Sequence, residues 1–126
     1  MSERLRVWEL EGADLDLLVA QTAGVADARI VDGVCMLPGS RPFRPSSSWS
    51  DGGPLLAQAQ ISLWRYPDLD SWHACTEFDV VRNEGLKGKC YCQGATPLVA
   101  AMRCFAASKL WVEQNSDSLI RPSHLL

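Results

Sequence analysis

Apolar and polar positions change period several times along the chain, and each change predicts an element. Near the start, "LRVWEL" alternates Leu5, Val7 and Glu9 with Arg6, Trp8 and Leu10, the pattern of a short strand. "GADLDLLVAQTAG" then takes helical spacing, with Leu15, Leu18, Val19 and Thr22 on one face. Asp14 and Asp16 read as first-turn charges at the positive end of that helix, and Gly24 as its stop. "ARIVDGVCML" sets Asp32-Gly33 between two apolar runs, which predicts a hairpin or an interrupted strand.

From Pro38 to Pro54 the periodicity disappears. Four prolines, three glycines and five serines crowd these positions, so an irregular surface loop is expected. Loops this long inside a compact domain are more often functional than short ones. "LLAQAQISLWRY" restores order as a strand, with Ile61 and Leu63 on one face and Trp64 with Tyr66 on the other. "SWHACTEF" and "LKGKCYCQG" follow as two further strands, expected to pair antiparallel across a loop at "RNEG".

The clearest helix is "GATPLVAAMRCFAASKLWVEQ". Thr96 suits the N-cap, Pro97 the first helical position, and Leu98, Ala101, Met102, Phe105 and Val112 form an apolar stripe. The expected fold class is therefore α+β: an antiparallel sheet of about four to five strands packed against an N-terminal and a C-terminal helix. One domain over residues 1–115 contains the loop at 38–54, and residues 116–126, which include His124, form a short frayed tail.

Composition narrows the function classes. With 126 residues, 47% of them apolar and 21% charged, the chain is long enough for one real core. A net charge of −3 supplies no overall basic field and argues against nucleic acid as a partner. Scattered Arg82, Lys87, Arg103 and Lys109 read as solvated surface charge. Only Arg41, Phe43, Arg44 and Trp49 interleave basic and aromatic residues, which makes a local nucleic-acid patch the alternative. No apolar run approaches the roughly 20 residues needed to cross a bilayer, so no membrane role is expected. No apolar core of signal-peptide type follows the charged N-terminus, so a cytoplasmic location is expected.

The five cysteines, an odd count, read as free thiols rather than a disulfide framework. His73 with Cys75, and Cys90 with Cys92, are pairs that share a strand face. They are the candidates for a thiol or zinc site. One intervening residue per pair is poor spacing for a common ion, so neither metal nor cofactor is expected. No convergent nucleophile, base and oxyanion donor is visible, so no enzyme is expected either.

Trp49 is the most conspicuous side chain of the loop. It either plugs the protein's own core, the more ordinary use of an aromatic in a long loop, or waits for a partner. In the second reading Arg44, Ser46, Trp49, Asp51, Gly52 and Gly53 form a binding loop, and the two glycines let backbone approach the partner.

Three segments together resemble the phage NinX family: "VWELEGADLDLLVAQTAG", "RPSSSWSDGGPLL" and "GATPLVAAMRCFAASKLW". The resemblance rests on Leu10, Gly12, Ala13, Leu15 and Asp16, then on Pro45, Ser46, Trp49, Gly52, Gly53 and Pro54. It ends with Thr96, Pro97, Leu98, Ala100, Ala101, Met102, Arg103, Ser108 and Lys109. It implies an accessory phage or prophage protein working in the bacterial cytoplasm, and carries no activity with it. His73 and the cysteines lie outside the shared pattern. The expectation is a non-enzymatic protein that docks through the Trp49 loop on a host or phage protein, or on a second copy of itself.

Overall fold

The computed structural model describes residues 6–76, 79–81, 85–87 and 90–114. The architecture is α+β, with every described strand pairing antiparallel. It begins with a 3-10 turn at Val7–Glu9, where a strand was expected. Val7 is the buried residue of that turn and joins the core. A single inward residue does not need a strand to deliver it.

Helix α1 spans Gly12–Thr22 and buries Leu15, Leu18 and Val19 as the spacing requires. It ends through Ala23 and Gly24, whose φ of +92° suits glycine at a helix stop. Strands β1 (Arg29–Val31) and β2 (Val34–Leu37) form the expected hairpin. Asp32 and Gly33 both take positive φ, 53° and 78°, as a two-residue turn of the primed type demands. Strand β3 (Arg41–Pro42) adds to β2 and completes a first three-stranded sheet.

The stretch expected to be irregular carries a second helix, α2, at Trp49–Gln58. This corrects the loop reading for residues 49–54 and shortens the following strand, β4, to Ile61–Trp64. Helix-breaking composition is overruled here by packing. A Cβ on Gly52 would run into the Pro45 carbonyl and lie 2.9 Å from Leu98 Cδ2. Gly53, without a Cβ, is the residue least hindered ahead of a proline in helical conformation.

Strand β4 pairs with β5 (Trp72–Thr76), and β5 with β8 (Cys90–Gly94), giving a second three-stranded sheet. Between them, β6 (Asp79–Val81) and β7 (Gly85–Lys87) form a small ribbon. The single sheet of four to five strands is thus two sheets and a ribbon. Strands β1 to β3 close on one another through short connections, and α2 separates them from β4.

Helix α3 (Pro97–Gln114) organises the core. It lies on β4, β5 and β8 and touches α1, α2 and the 3-10 turn. Leu98, Ala101, Met102 and Phe105 are buried as the stripe predicts, joined by Ala100, Cys104 and Ala106. Small residues let the helix approach closely: a Cβ on Gly94 would lie 2.5 Å from the Ala100 nitrogen. The expected tail at 116–126 and the Val112, Arg82 and Lys87 side chains lie outside the described residues. Among the described residues no helix is long and apolar enough to cross a membrane.

Candidate binding pocket around Trp49

Helix α3 starts where the sequence places it, with Thr96 Oγ1 accepting the Val99 N–H at 3.1 Å. Helices α1 and α2 start beside it, and neither carries a side-chain cap. The three beginnings surround a pocket of about 740 Å³. Gly12, Ala13 and Asp16 come from α1, Arg44, Ser46, Ser47 and Trp49 from the approach to α2, and Thr96, Leu98 and Val99 from the start of α3. Glu11 and the hairpin residues Gly33 and Val34 close the wall. Each of the three segments that carry the family resemblance therefore contributes to one cavity.

Trp49 is the first residue of α2 and stays 55% exposed on the rim, so it does not plug the core. The approach to α2 is held by Asp16 instead. Its carboxylate accepts the Ser46 N–H at 2.8 Å, and both residues are buried. Asp14 fits the role of a first-turn charge, but Asp16 does not. Burial pushes the Asp16 carboxyl above its ordinary range. Hydrogen bonds from Ser46 pull it back, Asp51 raises it further and Arg44 lowers it slightly. The signal for Asp16 was present in the sequence. It stands three residues before Val19, on the edge of the apolar stripe.

The remaining loop candidates divide. Arg44 is exposed, and its backbone N–H donates to the Asp51 carboxylate at 2.9 Å, which fastens the loop to the first turn of α2. Gly52 is buried, and its close approach is to Pro45 and Leu98 rather than to a partner. Asp51, Gly52 and Gly53 are thus outside the lining and shape the pocket from behind. Arg41 and Arg44 are exposed while Phe43 packs against the core, so the basic-aromatic interleaving does not form one open surface.

Arg103, expected to be solvated surface charge, instead bridges two elements. Its guanidinium donates to the Leu10 carbonyl and to the Gln93 carbonyl, each at 2.8 Å. It ties the lead into α1 and the end of β8 to α3, and so fixes how the helix beginnings meet. Nothing in its spacing marked it, because both acceptors are backbone atoms.

The histidine and cysteines do not assemble. The register sets His73 opposite Gln93 and Cys75 opposite Tyr91, while Ala74 faces Cys92 and Thr76 faces Cys90. Directly opposed residues share a face, so the two pairs point to opposite sides of the sheet. His73 is buried against both Trp64, with centroids 5.5 Å apart, and Tyr91, at 5.7 Å, and its Nδ1 bonds the Tyr91 hydroxyl. Cys90 and Cys92 join the core beneath α3 with Cys104. Burial pushes the Cys75 thiol up to about 11. Contact with Cys90, together with burial, holds Cys92 and Cys104 protonated as well. Among the described residues no three His, Cys, Asp or Glu side chains are placed to share a metal ion.

Comparison with curated proteins gives no match. Residues 6–109 match the family model of bacteriophage P22 NinX, a span that runs from the turn before α1 to the last part of α3 and includes the whole pocket, and the chain belongs to that family.

Proposed function

We propose that this phage protein is a non-enzymatic accessory factor that works in the bacterial cytoplasm by docking a protein partner over the Trp49 pocket. The observation that carries the reading is the exposure of Trp49 beside a cavity assembled from all three shared segments. An indole left in solvent loses the benefit of burying one of the largest apolar side chains, and tryptophan is the residue type most enriched at binding hot spots. The floor beneath it is built and fixed, with Asp16 holding Ser46 and Gly52 seated against Pro45 and Leu98. A preformed cavity costs a partner less ordering than a mobile loop.

The test is affinity capture from lysate of phage-infected cells with the wild type and with Trp49→Ala, alongside thermal melts and sedimentation of both. The reading expects equal melting temperatures and loss of one specific captured protein, or of a self-associated species, in the variant. A sharply lowered melting temperature with capture unchanged would return Trp49 to a structural role.

A further inference from the structure

Within the pocket, charge and geometry point to the kind of group a partner inserts. We propose that the cavity receives a basic side chain, arginine above all, whose guanidinium pairs with the Asp16 carboxylate and stacks on the Trp49 indole. This rests on reading the Trp49 pocket as the docking surface, and adds the chemistry of what enters it.

Asp16 is only 4% exposed, yet it lines the cavity, and among the described residues its hydrogen-bond donor is Ser46. Among the described residues it has no ion pair; the salt bridge found there is Arg6–Glu9, on the surface. A buried carboxylate without a counter-cation is costly, and a cation arriving from a partner relieves that cost. Glu11 adds a second acidic group to the wall, and Arg44 is the basic side chain of the lining. Among the described residues Arg44 makes no salt bridge with Asp16, so it does not already fill the role of counter-ion.

Trp49 supplies the second half of the site. Indole is the best aromatic face for a cation, and the planar guanidinium both stacks and forks toward a carboxylate, which favours arginine over lysine. The volume of about 740 Å³ lies within the range of small-ligand pockets, which admits an arginine side chain together with parts of the residues that flank it. The hydroxyl-bearing Ser46, Ser47 and Thr96 leave acceptors for the guanidinium protons that Asp16 does not take.

The experiment titrates the full chain, followed by amide and indole NMR shifts, with a capped five-residue peptide carrying one central arginine. Matched peptides carry citrulline, lysine or glutamate at that position. The arginine peptide is expected to shift the Trp49 indole N–H and the Gly12 and Ser46 amides. Citrulline, the neutral isostere, is expected to lose about tenfold or more in affinity. Asp16→Asn, which keeps an acceptor for the Ser46 N–H, is expected to produce the same loss with the fold intact. Should that variant fail to fold, the citrulline comparison decides alone, because it leaves the protein untouched. Equal binding of arginine and citrulline peptides, no shifts at all, or preference for the glutamate peptide through Arg44 would each overturn the proposal. Loss of the captured partner on Trp49→Ala, with no arginine binding, would leave the docking surface standing and this chemistry wrong.

Discussion

The Ser46 backbone donates to the Asp16 carboxylate across 30 residues of sequence, at 2.8 Å and out of solvent. That bond joins the first helix to the segment leading into the second, and both residues line the pocket between them. Asp16→Ala leaves the buried Ser46 N–H without its acceptor, and about 1–3 kcal/mol of stability is expected to be lost. Asp16→Asn keeps an acceptor and is expected to lose much less. Urea denaturation of the three proteins measures both.

The same carboxyl gives the protein a pH signature. Burial raises its folded pKa above the unfolded value of 3.8, so between those two values the folded state binds more protons than the unfolded. Its contribution to stability therefore falls as pH rises from 3.8 through the raised pKa, and returns as pH is lowered. Relative to Asp16→Asn, the wild type is expected to gain stability on acidification across that window and to level off below it. Parallel pH series of denaturation midpoints check the sign.

Gly52 is where α2 meets the chain before it. Gly52→Ala forces a methyl group against the Pro45 carbonyl and Leu98, and the expected cost is about 1–3 kcal/mol. Improved helix propensity at this position does not offset a clash with backbone. A lower melting temperature, with Ser46 and Leu98 NMR shifts perturbed, is the expected outcome.

Arg103 holds two carbonyls that no other described side chain reaches. Arg103→Met keeps most of the stem and removes both charged hydrogen bonds, each worth about 1.5–3 kcal/mol in general. Hydrogen exchange is expected to accelerate first near Leu10 and Gln93, where the bonds are lost, ahead of the centre of α3.

Local signals account for what is legible in the sequence. Thr96-Pro97 marks a helix start by capping chemistry, Asp32-Gly33 a turn by its need for positive φ, and Leu15, Leu18 and Val19 a buried face by period. Each of these is decided within a few residues. Helix α2 was illegible because Gly52, Gly53 and Pro54 all argue against it, and what outweighs them is contact with Pro45 and Leu98, the latter distant in sequence. Asp16, for all its place on the edge of the apolar stripe, and Arg103 escape sequence reasoning for a related reason. Their charges look solvent-facing until a backbone N–H at Ser46, or carbonyls at Leu10 and Gln93, arrives from elsewhere in the chain. The Trp49 site was half legible. Composition located it, but only the meeting of three helix starts turns it into a cavity. The cysteine and histidine pairs show the opposite error, since facing rules within each strand are right while the register sends the pairs to opposite sides.

The most direct measurement places a photo-crosslinking p-benzoylphenylalanine at Ser47, an exposed residue of the pocket lining that leaves Trp49 in place, and in a second protein at Trp8, which is 46% exposed and outside the lining. Both are irradiated in phage-infected cells. A discrete crosslinked protein from the Ser47 position, absent from the Trp8 control, is the expected result. No crosslink at Ser47, or the same products from both positions, would contradict the pocket as the surface through which this protein works.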